Sequence, residues 1–504
     1  MKLFNKIGVL GVAALAFSCT DLDVNNSDFL NGVGEYPENE GQAIAAANQV
    51  FTRTQGLADW GGWWFLQEVT ADAVLAPTRG SDWDDGGKWR SLHTHTWGPT
   101  TEAVEQMWRQ IYETMTRANK VIEMIEPAAE GNEGLQKLLA QLKVTRAYWY
   151  WVAIDNFGDV PMPTTFTGAD PFPTRTARAD VYQFCVNEIV DNIDRLPNAV
   201  PGVASSGINK GTAYAVLTKL YMNAEVYTGT AQWQNAINAA DQVMAMGYVL
   251  ESDVRAPFLT NNAASKENIY TVPYDELNLT GFNLHMRTLF YLNQLTFNMA
   301  VQPWNGFAMM EDFYNTFEDE DLRKYGFLVG QQYALNGTPL VDADADNAPV
   351  VLTPHVPALN MSSSVYSKTE IRHSGVRNAK YEIKEGARDN LSNDFAIFRL
   401  ADIMLLKAEA QVRLGGAGAG DALVNQIRSR AGLATPGGYS LDFILAERGR
   451  ELMWEGVRRN DLIRHGKFNQ VWWEKSNTDP NRKLFPIPQF ALNANPNLTQ
   501  NSGY

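Results

Sequence analysis

Apolar residues recur at helical spacing through most of this chain, and twice they do so as a pair of stripes joined by a turn. Ala213, Val216, Leu217, Leu220, Tyr221, Ala224 and Tyr227 form one stripe. Thr228-Gly229-Thr230 turns the chain, and Trp233, Ala236, Ile237, Ala240, Val243 and Met244 form the second. A one-sided stripe must be covered by a neighbour. Two short helices with small residues where they touch, in a unit of about 34 residues, resemble a tetratricopeptide repeat. The plan returns with Ala401, Met404, Leu405, Ala408 and Val412, a Gly415-Gly416-Ala417-Gly418 turn, then Leu423, Ile427 and Ala431. Further helices are predicted from Val104 to the stop at Pro127, over 135–155, over 180–196 ending at Pro197, and over about 441–464. The fold class is therefore mainly α, a tetratricopeptide-like scaffold.

Between about 251 and 395 the period is lost. Pro, Asn and Gly interrupt short β-like runs such as Ile269-Tyr270-Thr271-Val272. This stretch is expected to be an irregular insertion carrying the ligand site, packed on helices from about 38–250 and 396–504, because binding residues concentrate on loops held by a rigid scaffold. The whole of 19–504 is expected to be one domain.

Residues 1–18 have a basic start (Lys2, Lys6), an apolar run from Ile7 to Phe17, and Ser18 before Cys19. This is the pattern of a secretory signal, too short to span a bilayer. Leu15-Ala16-Phe17-Ser18-Cys19 resembles a lipoprotein lipobox of the Bacteroidetes type, departing from the usual form at Ala16, so Cys19 is expected to carry the lipid. Several acyl chains anchor a protein firmly without a transmembrane segment. Asp21 and Asp23 resemble the tag that directs such lipoproteins to the cell exterior.

Cys185 is the other of the two cysteines and falls on the stripe with Ile189, Ile193 and Leu196, so it is expected to be a buried thiol, with no disulfide framework. The net charge of −15 excludes a nucleic-acid partner and favours a neutral ligand over an anionic one.

The tail carries a denser set of motifs: Phe395-Ala396-Ile397-Phe398-Arg399-Leu400-Ala401-Asp402, Glu447-Arg448-Gly449-Arg450-Glu451-Leu452, Arg459-Asn460-Asp461-Leu462-Ile463-Arg464, Leu484-Phe485-Pro486-Ile487-Pro488, and the stretch from Asn495-Pro496-Asn497 to Ser502-Gly503-Tyr504. Phe157-Gly158-Asp159-Val160-Pro161 lies upstream. Together these resemble the SusD/RagB family of outer-membrane nutrient-binding lipoproteins. The resemblance implies glycan binding at the cell surface, no enzymatic activity, no cofactor, and a SusC-type TonB-dependent transporter as partner. A surface glycoside hydrolase and a protein-binding repeat scaffold are the alternatives.

Candidate site residues follow from composition. Trp83 lies in Arg79-Gly80-Ser81-Asp82-Trp83-Asp84-Asp85-Gly86-Gly87, a stretch too polar to be core. An indole offers a flat face to the C–H face of a sugar, Asp82, Asp84 and Asp85 would accept hydroxyl protons, and Arg79 would donate. As an exposed loop residue, Trp83 should cost no more than about 1 kcal/mol to remove. Trp304 in Gln302-Pro303-Trp304-Asn305-Gly306 is the second candidate, with Asn305 beside it. Asp72 and Arg372 are polar supports. Trp60, Trp63 and Trp64 are ambiguous, since Trp64-Phe65-Leu66 fits the start of a buried helix. Trp108, Trp149, Trp233 and Trp454 fall on helical stripes and are expected in the core.

Three polar sets suggest chemistry without supporting it. Glu447, Glu451 and Glu455 share a predicted helix face, but the interleaved arginines suit structural ion pairs. Asp342, Asp344 and Asp346 alternate as in a calcium loop, yet Asn347 and Thr353 stand where Gly and Glu are needed, so a polar surface loop is expected. His93 and His95 share a face of a predicted extended segment and lack a third ligand for zinc.

Overall fold

The structure is a computed structural model that describes residues 37, 39–58, 62–203 and 207–504. The signal segment, Cys19 and Trp60 lie outside the described residues. Among the described residues the architecture is mainly α, built from packed helical pairs. The Glu102–Ile125 helix buries Val104, Met107, Trp108, Ile111, Met115, Ala118, Ile122 and Ile125 along one side. It folds back through Pro127 and Gly131 (φ 75°) onto the Glu133–Phe157 helix, whose first turn is capped by Asn132 accepting from Leu135 N at 3.1 Å. The Arg178–Asn192 helix packs on that one and buries Cys185. The repeat-like pair comprises Lys210–Met222 and Trp233–Met244, with a short helix at Ala224–Thr228 between them. Trp233–Met244 in turn packs against Leu400–Gly415.

The stretch from 251 to 395 is a set of short helices and two-stranded ladders. Asn268–Val272 pairs antiparallel with Phe395–Arg399, with a register irregularity near Phe398, and so ties the start of this stretch to the entry of the 400–415 helix. A satellite core of Phe290, Leu340, Val350 and Leu352 lies within it.

The helix expected over 441–464 is two helices, Leu441–Leu452 and Arg458–Arg464. Trp454 (φ 66°) and Gly456 (φ 77°) take the left-handed conformation between them. A Cβ on Gly456 would meet the Trp63 ring at 2.3 Å, so the indole occupies the space that a continuous helix would need. The crowd of tryptophans near residues 60–97 is mostly interior: Trp63, Trp64, Trp89 and Trp97 are buried, and Trp64 Nε1 donates to the Trp454 carbonyl at 3.0 Å. Trp108, Trp149 and Trp454 are buried as expected, whereas Trp233 is half-buried beneath the Arg413 guanidinium.

The tail motifs are fasteners. Asn501 Nδ2 donates to the carbonyls of Phe157 (2.9 Å) and Phe485 (2.7 Å), and Trp97 Nε1 donates to the Tyr504 hydroxyl at 2.6 Å. Gly158 stands where a Cβ would meet Leu484 at 2.7 Å. Glu447, Glu451 and Glu455 are all buried in ion pairs, so the structural reading holds, although Glu455 lies beyond the helix end and not on its face.

Glu68, fully buried, accepts from Gly456 N at 2.6 Å with one oxygen, while the other has no partner. Burial pushes its carboxyl up to about 7 from 4.5. A raised carboxyl binds its proton more tightly when folded. Its contribution is therefore intact below pH 4.5 and is lost as pH rises towards 7, by about 3 kcal/mol. Glu68→Gln keeps the acceptor for Gly456 and removes the charge. Urea unfolding at pH 5 and pH 8 should show the native protein losing stability over that interval by more than the variant. Equal losses would show that Glu68 titrates normally.

Candidate functional site

Three segments meet around an open cleft of about 620 Å³ lined by Ser81, Asp82, Trp83, Asp85, Tyr291, Gln302, Pro303 and Trp304. The first segment is a tight turn. Arg79 N donates to Asp82 O at 2.8 Å and Asp82 N returns to Arg79 O at 3.1 Å, with Gly80 at φ 69°. The turn is braced because Thr78–Arg79 pairs with Asn360–Met361. Trp83 follows at φ 59°, a costly conformation for a large residue. The second segment, 302–307, is laced onto the Leu284–Thr288 helix: Trp304 N donates to Met286 O, and Gly306 N and Phe307 N both donate to Arg287 O, at 2.7 to 2.9 Å. The third is Tyr291, carried beside Phe290 of the satellite core.

The segments are latched to each other. Trp83 Nε1 donates to the Trp304 carbonyl at 2.7 Å, and the Tyr291 hydroxyl donates to Asp82 Oδ2. Burial, and then that bond to the carboxylate, push the Tyr291 hydroxyl up to about 12. Trp83 is half-buried, not a free loop side chain. Its ring makes a T-shaped contact with Phe307 at 5.2 Å and a tilted one with Trp89 at 5.8 Å. A Cβ on Gly306 would fall 2.2 Å from the indole, so one face of Trp83 lies on the Gly306 backbone. The opposite side is the one that can line the cleft. Trp304 is 37% exposed.

Trp83, Asp82, Asp85 and Trp304 thus line one cleft, and the other candidates stand elsewhere. Arg79 is 3% exposed and donates to the carbonyls of Ile371 (2.8 Å) and Ser374 (2.9 Å), so it is a brace behind the turn. Burial lowers its guanidinium to about 10, which leaves it charged at neutral pH. Asn305, at φ 55° and fully buried, accepts from Arg377 Nη2 at 2.7 Å and donates to Arg372 O at 3.0 Å. It fixes the loop and cannot face a ligand. Arg372 lies over the Tyr291 ring at 4.8 Å, with Nε bonded to Asp342 and Nη2 to Asp342 and Asp344, and is not among the cleft-lining residues. Asp72 does not line the cleft, since both its oxygens take the fork of Arg458 at 2.6 and 2.8 Å. Asp84 is drawn outward by Arg90 at 2.7 Å, a bond that holds its carboxyl below the usual range.

Tyr291 was not among the sequence candidates. It sits in Leu289-Phe290-Tyr291-Leu292, an apolar run with no glycine or acidic residue to set it apart from core. Asp342 is buried against Arg372 and His373, so the expected surface loop begins only at Asp344. His93 ends a helix and His95 has φ 57°, so no extended segment holds them. Both are buried, bonded through Nε2 to the carbonyls of Trp473 and Thr70, and burial lowers them to about 4 and about 2. An enclosed cavity between Tyr148, Trp151, Lys219 and Phe398 has room for water only, about 30 Å³.

Residues 240–504, more than half of the chain, match the SusD family profile. The chain belongs to the SusD family. Residues 62–222 of this SusD-family chain also match a profile described as starch-binding associating with outer membrane. It is 24% identical to the starch-binding protein SusD of Bacteroides thetaiotaomicron over 84% of this chain and 82% of that one. It is 23% identical to SusD-like protein P2 of Formosa agariphila over 99% of both. Among solved structures it shares the fold of a laminarin-binding SusD-like protein (TM-score 0.73, 20% identity, 92% of this chain and 100% of that one). Surface glycan-binding protein A from Bacteroides uniformis is equally similar (TM-score 0.73, 18% identity, 92% and 99%). No described helix of this SusD-family chain is long and apolar enough to cross a membrane.

Proposed function

We propose that the chain is a cell-surface glycan-binding lipoprotein whose site is the cleft between Trp83 and Trp304. The observation that carries the reading is the latch. Two indoles from segments more than 200 residues apart are fixed to each other by the Trp83 Nε1 bond to the Trp304 carbonyl, so the aromatic platform is in place before any ligand arrives. Tyr291 extends that platform, while Asp82 and Gln302 offer hydrogen-bonding groups at its edge. The names of the SusD relatives, which bind starch, laminarin or surface glycans, support the same reading. In it the protein captures oligosaccharides and delivers them to a SusC-type transporter. The cleft's two carboxylates, Asp82 and Asp85, belong to one loop and cannot flank a glycosidic bond from opposite sides, which argues against the hydrolase alternative.

A glycan array probed with protein lacking residues 1–19 tests the binding function. The expected result is retention of oligosaccharides without cleavage. Failure to bind any glycan would sink the reading, and released reducing ends would replace it with the hydrolase.

The anchor is proposed at Cys19. With the transporter partner deleted, Cys19→Ala should move the protein from the membrane to the soluble fraction, because the lipid is the proposed anchor and no described helix can span a bilayer. Persistence with membranes in that background would exclude the lipid.

A further inference from the structure

Resting on the cleft proposed above, we infer that it selects glycans presenting hydroxyl groups and rejects uronate and sulfate sugars, with Asp82 as the specificity-determining residue. The charged groups that line the cleft are two carboxylates, Asp82 and Asp85, and no cation joins them. Each carboxylate is exposed and has one oxygen committed inside the protein. Asp82 Oδ2 takes the Tyr291 hydroxyl and Asp85 Oδ2 takes Trp89 Nε1, which leaves the second oxygen of each for a ligand. Two of the donors at the cleft are already spent. Trp83 Nε1 goes to the Trp304 carbonyl and the Tyr291 hydroxyl goes to Asp82. What remains is an acceptor-rich surface, whose side-chain donors, among them Ser81 and Gln302, are neutral.

Cations stand near, but none is among the residues that line the cleft. Arg79 and Arg377 are buried behind it and give their protons to backbone carbonyls and to Asn305. Arg372 is held in the Asp342 fork and Arg90 by Asp84. The charges of the buried pair act from behind, and Asp82, which is electrostatically coupled to Arg79, stands in front of them. A hydroxyl brings the proton that this surface needs. A sulfate or carboxylate brings only acceptors and a like charge, and must leave its water without replacement. At about 5 Å from two solvent-exposed carboxylates, that repulsion amounts to about a tenfold loss of affinity.

The experiment is an array of neutral glucans, fructans and mannans beside the same chains oxidised at a primary hydroxyl to carboxylates or sulfated. It is probed with the native protein, Trp83→Ala and Asp82→Asn. Melting temperatures confirm that each variant is folded, and Trp304→Ala substitutes for Trp83→Ala if the latter is not. The asparagine keeps a carbonyl for Tyr291, removes the charge and adds a donor. Binding lost in Trp83→Ala, confined to the neutral chains, with the neutral-to-anionic preference falling about fivefold in Asp82→Asn, is the expected result. Trp83-dependent capture of an oxidised or sulfated chain at equal or greater affinity overturns the selectivity and leaves the cleft reading standing. Binding indifferent to the tryptophan variants, or no binding at all, overturns the cleft reading and this inference with it.

Discussion

Trp83→Ala should lower glycan affinity about 30-fold or more and also destabilise the fold by about 1 to 3 kcal/mol. The binding loss has two sources. The substitution removes the open face on which a sugar would pack, and it removes the Nε1 donor that holds the Trp304 carbonyl. Trp304 then has lost its partner platform and its latch together. Hydroxyl hydrogen bonds cannot compensate, because each exchanges with water for a net gain of about 1 kcal/mol. The stability cost corrects the expectation of a negligible one: half of this indole is packed on Gly306, Phe307 and Trp89. Trp83→Phe separates the two sources, since it keeps a ring over Gly306 and loses the donor. Calorimetric titration of native protein and both variants, with a glycan identified on the array, should rank them native, phenylalanine, alanine. Unchanged affinity in the alanine variant would place the site elsewhere.

Glu451→Ala should cost about 3 to 5 kcal/mol, a large share of the 5 to 15 kcal/mol that holds a typical domain. Glu451 is 3% exposed, and its carboxylate is shared by Arg399 at 2.7 Å, Arg323 at 3.2 Å and Arg430. Burial alone would raise its pKa, but Arg430, Arg399 and Arg323 together hold it well below the usual carboxylate range. Truncation strands these guanidiniums in a low-dielectric interior with one acceptor fewer. The folded fraction should still bind glycan normally, since none of the four residues lines the cleft. Chemical denaturation gives the first quantity and titration of the folded fraction the second. Loss of affinity with stability intact would move the site to the C-terminal helices.

Helix existence was legible because one-sided stripes need only local periodicity, as in 104–125 and 213–244. The break at Trp454 was not, because it depends on Trp63 filling space beside Gly456, almost 400 residues away. The candidate site divides the same way. Polar, glycine-rich surroundings singled out Trp83 and Trp304, but the same composition also nominated Arg79 and Asn305, which the fold turns inward as braces. Tyr291 was missed because an apolar run around a tyrosine looks the same whether its ring faces core or cleft. A close pairing such as Asp72 with Arg458 leaves no mark in either local sequence.

Trp64 with Trp454, Glu68 with Gly456 and Asp72 with Arg458 join the beginning of the fold to its last quarter across 390, 388 and 386 residues. At 5 to 20 residues per second, the ribosome needs roughly 20 to 80 s to deliver the second member of each pair after the first. For that time the Trp63–Glu68 segment is an apolar peptide without its docking surface, and the closing step of folding waits until synthesis has passed Arg458. A product that ends before Trp454 lacks the carbonyl that Trp64 Nε1 bonds and the amide that Glu68 accepts from, so the buried carboxyl is left with no hydrogen-bond donor.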